Sequence, residues 1–112
     1  MGGNEMKDYK NEFEVDGEKY SIVFNLNVME VIQEEYGSVQ KWGELTDVKT
    51  GEVNAKALIF GLTEMINEGI DIENEKLEEK RKPLTKKQVG RLVTKLGLQN
   101  SAEQLKDRKS VV

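Results

Sequence analysis

Residues 54–69 read NAKALIFGLTEMINEG and carry a dense apolar pattern. Apolar side chains recur at the i, i+3, i+4 and i+7 spacing of a helix face, and others widen that face over most of the circumference. Asn54 can cap the first turn, and Gly69 can end the helix in a left-handed conformation. Gly61 costs roughly 1 kcal/mol in mid-helix, which the close approach of a neighbour usually offsets. Because a helix that is apolar on most sides is normally buried, this segment predicts the central core helix.

The composition predicts one soluble, charge-rich domain. Charged residues make up 34% of the 112 residues and hydrophobic residues 37%, which is too apolar for full disorder. No run of 18 apolar residues is present, so we expect no membrane span, and the first residues lack the apolar core of a secretory signal. The absence of cysteine is compatible with a cytoplasmic location.

No residue pattern points to catalysis, a cofactor or a metal. The chain has no histidine and no cysteine, so the commonest general base and the thiolate ligands are missing. Asp71, Glu73 and Glu75 alternate but lack the residue order of a calcium loop, and the adjacent Glu34 and Glu35 diverge on a helix. A glycine-rich phosphate loop is also absent. We therefore expect a non-enzymatic protein without cofactor or metal.

Alternating apolar residues on both sides of Asp16-Gly17 predict an N-terminal β-hairpin. Asp-Gly is a two-residue turn signal, and the turn would place Phe13 opposite Tyr20. The second strand is expected to continue to Phe24. Since a lone hairpin is marginal in water, its apolar face must lie on helices.

Capping signals divide the rest of the chain into helices. The first predicted helix begins at Asn27 and ends at Gly37, and a short second one begins at Ser38 and ends at Leu45. After the core helix, a further helix begins at Thr85, which forms a capping box with Gln88, and ends at Gly97. A last helix begins at Ser101. The predicted fold is therefore α+β and mainly α, with an N-terminal β-hairpin packed on a small bundle of four to five helices.

The predicted domain covers residues 9–106, between disordered tails at residues 1–8 and 107–112. Residues 70–83 are charge-dense, and only Ile70, Ile72 and Leu77 could anchor them. We expect this segment to be a mobile charged linker.

The charges are divided unevenly along the chain. Residues 1–75 hold 17 acidic and 6 basic residues, whereas residues 76–112 hold 4 acidic and 11 basic residues. The two parts thus carry net charges of −11 and +7. Such a division favours head-to-tail self-association or an acidic partner, unless both parts are simply solvated helix faces.

The basic C-terminal segment, residues 83–109, allows an alternative. Two helices separated by a turn at Gly97-Leu98-Gln99 suggest a helix-turn-helix. Four basic residues of the first helix could touch phosphates: Lys86, Lys87, Arg91 and Lys95. The alternative function is a small nucleic-acid-binding regulator. Against it, the second helix is weak, and the acidic remainder of the chain would repel nucleic acid.

The order of elements resembles that of the small tail assembly chaperones of long-tailed phages and prophages. A hairpin of the type EFEVDGEKYSIVF is followed by a helix that ends in Glu34-Glu35-Tyr36-Gly37-Ser38, and then by the apolar helix and LTKKQVGRLV. The resemblance covers most of residues 12–97. It implies a protein that self-associates in the host cytoplasm and binds the tape-measure protein until tail-tube subunits assemble around it. A structural tail adaptor subunit, which would remain in the particle, is a further alternative.

A holding chaperone needs apolar surface that folding leaves free. Trp42 either covers the core edge or anchors a partner. The residues that we expect to bind the partner lie on the short turn after Ser38 and on the helix after Thr85: Val39, Trp42, Leu45, Val89, Leu92, Val93 and Leu96.

Overall fold

The computed structural model describes residues 12–15, 17–50 and 52–109. Within these ranges the chain is mainly helical and contains five α-helices, as predicted. The elements are β1 (Glu12–Val15), β2 (Glu18–Ser21), α1 (Leu26–Tyr36), α2 (Val39–Leu45), a 3-10 turn (Val48–Thr50), α3 (Ala55–Asn74), α4 (Lys86–Leu96) and α5 (Leu98–Lys109).

Helix α3 is the centre of the fold, which confirms the prediction from its apolar pattern. It contacts β2 and each of the other four α-helices. The Asn54 side chain accepts a hydrogen bond from the Ala57 N–H at 2.9 Å and so caps the first turn, as predicted. The buried side chains of α3 form the middle of the core: Ala57, Leu58, Phe60, Leu62, Met65, Ile66 and Ile70.

The predicted end of the core helix at Gly69 is wrong, because α3 continues for five residues beyond it. Gly69 instead allows the chain that leaves β2 to lie directly on the helix, and a Cβ there would overlap the Ser21 carbonyl oxygen. The Val23 N–H donates to the Met65 carbonyl at 3.2 Å, and the Ser21 hydroxyl donates to Glu73 at 2.6 Å. These contacts use three successive turns of α3 and therefore favour its longer form.

Gly61 brings α2 against α3. A Cβ at Gly61 would overlap the ring of Trp42, which is fully buried. The Trp42 Nε1–H donates to the Ala57 carbonyl at 2.9 Å, and the Phe24 ring lies 6.1 Å from the indole between centroids. The close approach predicted at Gly61 is thus confirmed, and Trp42 is a core residue.

The two strands pair antiparallel, with Phe13 opposite Tyr20. β2 contacts α3, and β1 contacts α4. Strand pairing ends at Ser21 and not at Phe24, because the following backbone turns onto α3. Asp16 of the predicted turn and the predicted tail at residues 1–8 lie outside the described residues.

Two asparagines of α3 hold the connection to α4. The Asn74 amide donates to the Arg81 carbonyl at 3.0 Å and accepts from the Arg81 N–H at 2.9 Å. The Asn67 amide makes the same pair of bonds with Leu84, at 2.9 and 2.8 Å. Each asparagine side chain thus binds both the N–H and the carbonyl of one residue, as the backbone of a neighbouring β-strand does. The predicted linker at residues 70–83 therefore begins as helix and is anchored by polar groups; its mobility stays a prediction.

Helix α1 begins earlier than predicted. Its N-cap is Asn25, whose side chain accepts from the Val28 N–H at 3.2 Å, whereas Asn27 lies in the first turn and donates to Glu68 at 3.1 Å. The predicted end at Gly37 is confirmed by its φ of 92°. The Ser38 cap, the Thr85–Gln88 capping box and the end at Gly97 are also confirmed.

Helix α5 begins at Leu98, three residues before the predicted start at Ser101. Only Gly97, with a φ of 95°, separates it from α4, so the predicted three-residue turn is wrong. The helix continues to Lys109 and so passes the predicted domain end at residue 106. Ala102 and Leu105 pack into the core.

Candidate functional site

The structure divides the seven predicted partner-binding residues into two groups. Trp42, Val89 and Val93 are buried, with at most 5% of their surface exposed. Their assignment as partner contacts is corrected, because they complete the core of this chain. The others are half-buried against that core and keep some surface available to a partner: Val39, Leu45, Leu92 and Leu96.

A different surface forms a concavity that none of these seven residues lines. It lies between the end of α1, the first two turns of α3 and the outer side of α4, with a volume of about 670 Å³. We call it the basic groove, and its lining residues are Glu35, Lys56, Ile59, Phe60, Lys86, Lys87, Gly90, Arg91 and Thr94.

The floor of the basic groove is apolar. Phe60 and Ile59 project from successive positions of α3, and Tyr36 meets the Phe60 ring edge-on at 5.5 Å between centroids. Gly90 has no side chain to cover the floor. A Cβ atom at this position would lie 3.6 Å from the Ile59 Cδ1 atom, which is ordinary contact distance. An apolar floor of this kind suits the apolar stripe of another polypeptide.

The rim of the basic groove is cationic. Lys56, Lys86, Lys87 and Arg91 are all exposed and face one acidic residue, Glu35. The Lys86 Nζ atom lies 5.1 Å from the centroid of the Phe60 ring, within the range of a cation–π contact.

The start of α4 sets this rim. The capping box of Thr85 places Lys86 and Lys87 in the first turn, where the helix dipole already carries positive charge. The basic side chains and the positive end of the helix dipole together make the groove a favourable environment for carboxylates.

The opposite end of α3 carries the reverse charge. We call residues 71–79 the acidic end; they include five acidic residues and one lysine. Ile72 and Leu77 expose 39% and 41% of their surfaces there and, with Leu26, are the exposed large hydrophobic residues of the described chain. The acidic end thus combines carboxylates with apolar side chains, as the basic groove combines cations with an apolar floor.

Among the described residues, no group of three or more acidic side chains is arranged to hold a metal ion. Desolvation by burial, followed by the nearby Glu35 carboxylate, raises the pKa of Tyr36 above its ordinary value of 10.0. The phenol is therefore neutral at pH 7. None of the described helices is both long and apolar enough to cross a bilayer.

The groove was not predicted as a site, although its parts gave signals. Lys86, Lys87 and Arg91 enter the sequence analysis only as phosphate contacts of the nucleic-acid-binding alternative. Gly90, in the middle of an amphipathic helix, is a signal of a close approach or an open surface that the sequence analysis did not use. The sequence did not indicate that α4 would place these residues beside Phe60. Comparisons with family models, curated proteins and solved structures found no match to this chain.

Proposed function

We propose that this protein is a non-enzymatic tail assembly chaperone of a long-tailed phage or prophage. It would self-associate in the host cytoplasm and bind the tape-measure protein before tail-tube subunits assemble around it. The observation that carries the proposal is the basic groove, an open amphipathic surface that suits self-association with another copy of the chain. The resemblance in element order supports the choice of partner.

The physical task of such a chaperone is weak and repeated binding along an extended client. Apolar side chains that stay partly exposed provide modest contact energy at each site, and self-association multiplies the sites. Val39 and Leu45 on α2, with Leu92 and Leu96 on α4, are the half-buried residues that we propose for client contact.

Co-purification tests the proposal. The full chain is co-expressed with fragments of a phage tape-measure protein, and a protein of equal size and charge serves as the control partner. We expect the tape-measure fragment to be retained with this chain alone, and we expect the chain to be absent from purified particles. No retention of any fragment would contradict the proposal, and presence in the particle would favour the structural adaptor.

The cationic rim also supports the nucleic-acid-binding alternative, because four basic side chains face one acidic residue. A gel-shift assay of the full chain at low salt with duplex DNA separates the two functions. We expect no shift, since the many acidic residues of the chain repel phosphates. A shift that Lys86→Glu/Lys87→Glu abolishes would favour the nucleic-acid-binding regulator.

A further inference from the structure

The basic groove and the acidic end match in charge and in apolar content. The groove presents four cations around Ile59 and Phe60. The acidic end presents carboxylates around Ile72 and Leu77. A large exposed apolar side chain alone is common in proteins, but two of the three exposed large hydrophobic residues of the described chain, Ile72 and Leu77, lie among the charges that the groove would attract.

The carboxylates of the acidic end are largely free of internal partners. Glu73 accepts from Ser21 and lies 3.6 Å from Arg81, while Lys80 donates to the backbone carbonyls of Asn74 and Leu77 at 2.6 and 2.8 Å. Within the part of the chain that the structure describes, the remaining acidic residues make no such contact: Asp71, Glu75, Glu78 and Glu79.

The two surfaces cannot meet within one molecule. Ile59 of the groove and Ile72 of the acidic end lie 13 residues apart on the same continuous helix, α3. At the rise of an α-helix this separation is about 20 Å. Because the helix between them is buried and rigidly packed, any pairing of the two surfaces must join different copies.

We propose that the basic groove binds the acidic end of a second copy of this chain. Ile72 and Leu77 of one copy would pack on Ile59 and Phe60 of the next, inside a ring of paired charges. The surfaces are different patches, so the contact is head-to-tail and leaves one free groove and one free acidic end in each assembly. Copies therefore add in rows, unless the row closes into a ring.

This inference rests on the self-association of the proposed function and assigns its interface. Two double variants test it in the full chain. Lys86→Glu/Lys87→Glu reverses the rim, and both acids occupy the first turn of α4, where the helix dipole favours them. Glu78→Lys/Glu79→Lys reverses exposed residues of the acidic end. Lys19→Glu/Lys41→Glu is the matched control, because both lysines are exposed and lie outside the groove.

The measurement is light scattering after size-exclusion chromatography, over a range of protein concentrations and at low and high salt. We expect the wild type and the control to form assemblies that grow with concentration and dissociate at high salt, because salt screens exposed charge pairs. Each reversed variant alone should be monomeric, and an equimolar mixture of the two should associate again. Circular dichroism checks that all variants are folded.

Two results would overturn the inference: a wild type that is monomeric at every concentration, or reversed variants that assemble like the control. If the reversed variants assemble like the control and the wild type retains the tape-measure fragment, only this interface is wrong. A monomeric wild type that retains the fragment would also remove self-association from the proposed function. Loss of both self-association and fragment binding would overturn the proposed function as well.

Discussion

Single glycines determine how closely the elements of this protein approach α3. Gly61 and Gly69 stand where the Trp42 ring and the Ser21 backbone touch the helix. The sequence predicts a close approach at a mid-helix glycine but does not name the neighbour, so Gly61 was interpreted correctly. A glycine that ends a helix and a glycine that allows a close contact inside a helix look the same in the local sequence. At Gly69 the second interpretation is correct, and it depends on Ser21, which lies 48 residues earlier in the chain.

We predict that Gly61→Ala destabilises the protein by about 1–3 kcal/mol, the usual cost of overpacking a core. The added methyl group must displace the buried Trp42 ring, and this outweighs the roughly 1 kcal/mol that alanine gains in helix propensity. Urea unfolding measures the difference. Gly90→Ala is the matched control, because its Cβ makes ordinary contact and should stabilise by about 0.5–1 kcal/mol. Equal stability of the two variants would disprove the packing described for Trp42.

The Tyr36 hydroxyl is buried and has no hydrogen-bond partner among the described residues. Because burial raises its pKa, the unfolded chain loses this proton near pH 10 while the folded chain still holds it. The contribution of Tyr36 to the free energy of unfolding therefore decreases as the pH rises above about 10. We expect Tyr36→Phe to be at least as stable as the wild type at pH 7 and to lose less stability between pH 9 and 11. Parallel losses in both proteins would show that Tyr36 is not desolvated.

At the scale of elements, the connection between α3 and α4 is held by side chains that look like surface residues in the sequence. Asparagine in a helix interior has no strong structural meaning by itself. Asn67 and Asn74 lie seven residues apart, which places them on one face two turns apart, and each binds both backbone groups of one residue. This arrangement was not predictable, because it needs the path of the connection as well as the helix.

We predict that Asn74→Ala accelerates tryptic cleavage within residues 76–82, because two backbone groups of Arg81 lose their partners and the segment opens more often. The loss of two hydrogen bonds should reduce stability by about 1–3 kcal/mol. Limited proteolysis followed by mass spectrometry locates the cuts. Lys80 also donates to the Asn74 carbonyl, but that contact uses the backbone and survives the substitution. An unchanged cleavage rate would mean that the asparagine does not hold the segment.

For the whole molecule, the sequence predicted the division of charge but not its placement. The dipole expected between residues 1–75 and 76–112 stays a prediction. The two charged surfaces at opposite ends of α3 draw on both parts, because Lys56 of the basic groove belongs to the acidic part and Glu78 and Glu79 of the acidic end belong to the basic part. Capping residues predicted most helix ends, since caps act locally. The basic groove was missed because it depends on the packing of α1, α3 and α4, which are distant in the chain.

The proposed function requires this protein to shield another polypeptide during assembly. The most direct measurement is the turbidity of a tape-measure fragment diluted from urea, with increasing amounts of the full chain and with an equal-sized protein as control. We predict that turbidity falls in proportion to the added chain and is abolished near a fixed ratio of copies per fragment. Turbidity that is the same with the chain and with the control would contradict the claim.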